Sequence, residues 1–233
     1  MQTKKRKRIY FLIFWIVVIT SFVFFATVLE LYANGYKLNT QNFKLTKTGM
    51  IIVNGSENNV TLIIDGKEKK ANLPYKIKHL VPGRHEIVVQ KEGFQSWSKV
   101  FQVEAGRANI SNHVTLYLTS IVPKEISREA NTIAKINSNY ANQNTGLSIQ
   151  GTEMLYGGIL ITRFSSEILS GIRNASTGNF LVQVGDEIVA LDADGSNSIT
   201  LLKLNSTVPT NYYIDGANLI YINSDRIYQA QLH

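Results

Sequence analysis

Three stretches of this chain hold side chains that could do chemistry. Asp192-Ala193-Asp194-Gly195-Ser196-Asn197 gathers several oxygen-bearing side chains in one short run. A calcium loop needs about 6–8 oxygen ligands and usually ends on a bidentate Glu. The next residues are Ser198-Ile199-Thr200-Leu201-Leu202, without an acid. A hairpin turn in which Asp, Gly and Asn supply the backbone geometry accounts for the run better. Lys67, Lys69, Lys70, Lys76 and Lys78 form a second cluster, around the pair Asp65-Gly66. In a sheet they could make one basic patch toward anionic lipid headgroups or acidic wall polymers. A solvated strand edge that resists strand-on-strand aggregation explains them as well. The third stretch holds Phe94 and Trp97, which could stack on a sugar ring. Large aromatics are mostly buried, so Trp97 is expected in a core and Phe94 over a turn.

Other chemistries lack their residues. There is no Cys, hence no disulfide framework, thiol nucleophile or Cys-based zinc site. His79, His85, His113 and His233 are scattered, with no H-E-x-x-H pair to build a metal site. No phosphate-binding loop, dinucleotide-binding glycine pattern or G-x-S-x-G elbow occurs. Ser165-Ser166 have no identifiable triad partners and read as a strand-end turn. The sequence therefore assigns no catalytic, cofactor-binding or metal residue, and a non-enzymatic protein is expected.

The lysine cluster and Trp97 belong to a stretch with strong β patterning. Met50-Ile51-Ile52-Val53 and Val60-Thr61-Leu62-Ile63-Ile64 are apolar runs, the second ending at Asp65-Gly66, a strong hairpin signal. Pro74 and Pro82-Gly83 punctuate the next part of the chain. Ile87 and Val89, then Trp97, Phe101 and Val103, then Val114, Leu116 and Leu118, repeat at period two. Short strands joined by Gly and Pro turns argue a β-sandwich. Leu80-Val81-Pro82-Gly83-Arg84-His85-Glu86-Ile87-Val88-Val89 and Lys91-Glu92-Gly93-Phe94-Gln95-Ser96-Trp97 resemble the Pro-Gly, strand, Gly-aromatic, strand signature of the PEGA domain. The quartet Pro-Glu-Gly-Ala itself is absent, with Glu104-Ala105-Gly106 about where it would lie. The resemblance covers about a third of the chain. It implies a non-catalytic surface module, often of bacterial envelope proteins.

The formal net charge is +7, which taken alone suggests nucleic acid. Its distribution argues otherwise. Lys4, Lys5, Arg6, Lys7 and Arg8 supply five of those charges, residues 30–119 carry +5, and residues 120–233 carry −3. The basic run flanks a stretch, Ile9 to Leu29, that has no charged residue. About 21 residues at roughly 1.5 Å each span about 30 Å, the thickness of a bilayer's hydrocarbon core. The run is longer than a signal peptide's apolar region, and Leu31-Tyr32-Ala33 is a poor cleavage site, so an uncleaved anchor is expected. Basic residues before it place the N-terminus in the cytoplasm and the body outside.

After residue 118 the patterning changes. Residues 119–145 are rich in Asn and Ser; Ile126, Ile133 and Ile136 could line a short helix, but the segment reads mainly as an interdomain linker. Residues 146–233 show a faint repeat: Phe180 and Leu219 are 39 apart, as are Ile188 and Ile227. That period is near the propeller-blade range, and the strand–turn–strand pattern is similar to TolB-like blades. Only about two and a half blades fit, against the roughly 4–8 that a closed propeller needs.

The expected architecture is mainly β. A basic cytoplasmic tail (1–8), a transmembrane helix (9–29) and a spacer (30–47) precede a PEGA-like sandwich (48–118). A linker (119–145) and a partial, about two-blade, propeller-like antiparallel region (146–233) complete it. The expected function is a bacterial membrane-anchored, non-catalytic binding or scaffold protein of the cell envelope. Its partners would be the membrane and either wall polymers or envelope proteins, with no cofactor and no nucleic acid. The rival readings are a cell-wall hydrolase with an unrecognised site, and a shortened relic of a longer PEGA-plus-propeller surface protein.

Overall fold

The computed structural model describes residues 2–39 and 44–233. Met1, the side chains of the basic tail, and residues 40–43 of the expected spacer lie outside the described residues.

The chain opens with helix α1 (Gln2–Ala33). Its stretch Ile9–Ala33 is 25 residues long and apolar enough to cross a membrane. That is about 37 Å of helix, against a hydrocarbon core of about 30 Å. Apolar side chains cover it all round and stay exposed, with Phe11 62%, Phe22 74% and Leu29 67% accessible. The Thr27 hydroxyl donates to the Val23 carbonyl at 2.9 Å, satisfying itself within the helix.

The helix ends at Gly35, whose φ of +77° is the left-handed geometry that closes helices. The spacer expected over 30–47 is instead structured. After the helix comes a hairpin of β1 (Tyr36–Asn39) and β2 (Lys44–Lys47), with Leu38 opposite Leu45. Its side chains are polar or exposed on both faces, so it carries little of the alternation by which strands are recognised.

The stretch expected to form a sandwich folds into β3 (Gly49–Gly55), β4 (Val60–Ile64), β5 (Lys67–Ala71), β6 (Tyr75–Leu80), β7 (Gly83–Gln90), β8 (Trp97–Val103) and β9 (Ala108–Val114). They form one sheet in the order β5-β4-β7-β8 and another in the order β6-β3-β9. Alternate residues are buried as the period-two pattern predicts: Ile51 and Val53, Val60 and Leu62, Ile87 and Val89, Trp97, Phe101 and Val103. The turn between β4 and β5 has Asp65 at φ 47° and Gly66 at φ 79°, both left-handed, as a tight hairpin requires.

The remaining elements are β10 (Lys124–Ile126), α2 (Ala130–Gln143), β11 (Leu147–Gln150), β12 (Glu153–Tyr156), β13 (Ile159–Arg163), β14 (Ile168–Arg173), β15 (Phe180–Val184), β16 (Glu187–Leu191), β17 (Ile199–Lys203), β18 (Tyr212–Asp215), β19 (Asn218–Asn223) and β20 (Arg226–Gln231). They build antiparallel sheets in the orders β11-β12-β13, β14-β15-β16-β17 and β10-β20-β19-β18. Among the described residues no sheet closes on itself. The 39-residue repeat corresponds to matching hairpins, β15–β16 and β19–β20. One core gathers Tyr212, Tyr221, Leu181, Ile188 and Leu219, and a second gathers Met154, Phe180 and Val182.

The segment 119–145 is not mainly a linker. β10 pairs with β20, and α2 packs Ile136, fully buried, with Ile133 against Tyr213, Ile220 and Ile227. Gln143 fastens the end of α2, accepting from the Ile214 amide and donating to its carbonyl, both at 2.9 Å. The Asn and Ser that suggested a linker are the solvent face of an amphipathic helix.

By compactness the chain divides into two units. One comprises Met1–Ile51, Ile77–Arg84 and Gln102–Asn109; the other comprises Ile52–Lys76, His85–Phe101 and Ile110–His233.

Candidate functional site

Within the larger unit, the oxygen-rich run at 192–197 and Trp97 come together. The run is a closed turn: the Asp192 amide donates to the Ser196 carbonyl and the Gly195 amide to the Asp192 carbonyl, both at 2.9 Å. Gly195 has φ +79°, and a Cβ there would stand 2.3 Å from the Ile161 carbonyl oxygen. Only glycine fits that approach. Asp192 is 4% exposed, and one oxygen, Oδ2, accepts from Trp97 Nε1 and from Asn197 Nδ2, each at 2.8 Å. Burial pushes the Asp192 carboxyl above its ordinary range, while the bonds from Asn197 and Trp97 and the charge of Lys99 pull against it. Asp194 is also partly desolvated, but hydrogen bonds from Lys99 and Ser196 outweigh that and hold its carboxyl low.

The run is thus a docking turn that receives the first residues of β8. Trp97 is buried, and its one polar atom is engaged by Asp192, so its ring presents no open face to a sugar. Phe94 lies under the Lys91 ammonium, 4.7 Å from the ring centroid, and bridges to Leu118. Among the described residues no group of three or more His, Cys, Asp or Glu converges on one point. His85 Nδ1 lies 2.6 Å from Asp65 Oδ2. Burial lowers His233. Ser165 and Ser166 lie in the turn between β13 and β14.

The five lysines are all exposed, but they do not share one face. Lys67 and Lys69 stand opposite Ile64 and Leu62, while Lys70 stands opposite Thr61. Paired residues share a face and successive residues alternate. Lys67 and Lys69 therefore lie on the side where Leu62 is buried, and Lys70 lies on the outer side. Lys76 and Lys78 flank the buried Ile77 and face away from it. Lys69 also caps the Tyr75 ring at 5.1 Å. β5 is an edge strand, and inward-leaning charge on an edge blocks pairing with a second sheet.

An open cavity that the sequence did not reveal lies in the other unit, just past the end of α1. Its volume is about 270 Å³ and it is lined by Asn34, Gly35, Lys47, Thr48, His79 and Arg107, among others. Its lining includes the junction between helix and strand. Thr48 donates to the Gly35 carbonyl twice, from its amide at 2.8 Å and from its hydroxyl at 2.6 Å. The Gly106 amide donates to the Thr48 carbonyl at 3.0 Å, and the Met50 amide to the Arg107 carbonyl at 3.0 Å. His79 stacks on Tyr32 of the last helical turn, with centroids 4.8 Å apart and planes 16° apart. The Lys47 chain lies over Gly106, its Nζ 3.3 Å from where a Cβ would stand. Arg107 Nη1 pairs with Glu104 at 2.7 Å, both exposed. None of the described lining residues is acidic.

Residues 48–118 match the PEGA domain. The match takes in β3 to β9 and stops before β10. The matched stretch thus begins at Thr48, the residue bonded to the helix end. No curated protein matches the chain. The expected likeness of residues 146–233 to TolB-like propeller blades is not supported, since the family match does not extend there. A PEGA domain behind an apolar N-terminal helix fits a membrane-anchored surface protein.

Proposed function

We propose that this chain is a single-pass membrane protein whose PEGA-bearing body lies outside the cytoplasm. There it binds or scaffolds at the cell envelope without catalysing a reaction. The observation that carries this reading is the sequence of parts in the first fifty residues. Five basic residues precede an exposed apolar helix, and that helix is joined by paired hydrogen bonds to the first residue of the PEGA domain. Basic residues at one end of an isolated span favour retention of that end in the cytoplasm. Protease added to intact cells or spheroplasts is expected to digest the body and spare a short N-terminal fragment. A body protected until the membrane is opened refutes the orientation.

The finer part of the proposal is contact with an anionic surface, either wall polymer or lipid, through Lys67, Lys69, Lys70, Lys76 and Lys78. Their exposure supports it, and exposed cations act only within a Debye length of about 8 Å at physiological salt. Because Trp97 is bonded to Asp192, the full chain in detergent, rather than an isolated 48–118 fragment, is the right probe. Its co-sedimentation with acidic wall polymer is expected to weaken with salt and with Lys67→Glu/Lys69→Glu/Lys70→Glu. Unchanged sedimentation of that variant refutes the contact.

A further inference from the structure

We propose that the cavity beyond the end of α1 is a binding site for the phosphate of a membrane lipid headgroup. The proposal rests on the anchored reading above and adds the site, its residues and its ligand chemistry. The cavity is lined by two cations, Lys47 and Arg107, by His79 and by no described acid, and the Lys47 chain lies over Gly106, the neighbour of Arg107. Among the described residues Arg107 pairs with Glu104, in an exposed contact of the kind that contributes little and exchanges readily. A guanidinium offers a planar fork of donors that suits phosphate oxygens. The position of the cavity names the source of the phosphate. Its lining includes Asn34 and Gly35, immediately after the apolar stretch ends, where headgroups border the hydrocarbon. Tyr32, 60% exposed, holds His79 there, and tyrosines favour this interfacial level. The neighbouring hairpin presents Leu38 and Leu45, opposite each other and about half exposed, on the same face as Lys47. A paired apolar position beside a cation matches the boundary between acyl chains and phosphates.

The test uses the full chain in phosphatidylcholine discs doped with spin-labelled phosphatidylglycerol, with spin-labelled phosphatidylcholine as comparison. The motionally restricted fraction of each lipid is read by electron paramagnetic resonance. Phosphatidylglycerol is expected to be restricted in clear excess. Each cation near an anionic surface contributes roughly fivefold in affinity, so Lys47→Glu/Arg107→Glu should abolish the excess. Lys124→Glu/Lys135→Glu makes the same charge change at exposed positions outside the cavity and should retain it. Equal restriction of the two lipids, or equal loss in both variants, overturns the proposal. Displacement of the labelled lipid by inorganic phosphate overturns the lipid assignment and makes free phosphate the ligand. Carbonate washing reads the anchor separately. If the chain leaves the discs, the anchored reading fails, and the cavity is tested in detergent with inorganic phosphate. There, equal binding by parent and Lys47→Glu/Arg107→Glu overturns the site as well.

Discussion

Replacing Trp97 by Phe should unfasten the docking turn from β8 while keeping an aromatic ring in the core. Two losses add. The Asp192 carboxylate, 4% exposed, loses one of its two side-chain donors, and a hydrogen bond to a charged group contributes about 1.5–3 kcal/mol. The missing part of the indole leaves space in a site where Trp97 is 2% exposed, and a truncation of that size costs about 1 kcal/mol or somewhat more. The sum is roughly 2–4 kcal/mol. For a chain of this length that lowers the midpoint by roughly 2–4 °C per kcal/mol. Thermal or urea unfolding of the full chain in detergent, followed by Trp and Tyr fluorescence, measures it. A double-mutant cycle with Asp192→Asn isolates the bond, since the new amide's carbonyl can still accept from the indole but carries no charge. Trp97→Phe should therefore cost about 1 kcal/mol less in the Asp192→Asn background. A cost below about 0.5 kcal/mol, or the same cost in both backgrounds, refutes the idea that a desolvated carboxylate is held by the indole.

Asp192→Asn should also change the pH dependence of stability. The folded state raises the Asp192 carboxyl, so its proton-linked contribution is full below the ordinary carboxylate pKa. That contribution is lost as pH rises through the folded value. Asp194 is lowered and acts oppositely, its contribution present above the ordinary value and lost as pH falls through the folded one. Removing the Asp192 carboxyl should therefore make stability climb more steeply with pH through the mildly acidic range, read from unfolding midpoints against pH. Ile136→Ala truncates a fully buried side chain and should cost about 2–5 kcal/mol by the same unfolding assay; a near-neutral result would return α2 to the status of a linker. Lys67→Val/Lys69→Val should leave stability nearly unchanged but raise light scattering on concentration, because an edge strand loses its charged guards.

The sandwich strands were legible because one face of each is buried. Ile51 and Val53, Ile87 and Val89, and Trp97 and Phe101 alternate with exposed neighbours, and that alternation is written in the residue types themselves. The hairpin at Asp65-Gly66 was legible through turn chemistry. Helix α2 was only faintly legible, through Ile133 and Ile136, because its buried stripe rests on so few residues and its N-cap residue, Glu129, makes no capping bond. The paired strands β1 and β2 were hidden for the opposite reason, since none of their described side chains is buried. Trp97 and Asp192 are 95 positions apart, and nothing local in either marks the other. The separation of Lys70 from Lys67 and Lys69 could have been read from odd and even positions alone. The cavity beside Tyr32 could not, since it needs His79 and Arg107 brought in from distant turns.

The pairing of β10 with β20 sets a schedule for the chain's own synthesis. Lys124 meets Gln229 and Ile126 meets Ile227, and the Leu118 amide meets the Leu232 carbonyl at 2.8 Å. At about 5–20 residues per second, the hundred or so residues between these partners take roughly 5–20 s to make. Throughout that interval the outer strand of the final sheet waits unpaired, and so does the apolar side of Ile126, after α1 has already emerged. Contacts this distant in sequence also close slowly once the chain is complete. With the anchor proposed above, the nascent protein would be tethered before it is finished, and the time for which its unpaired strand must be kept from other chains is set by translation.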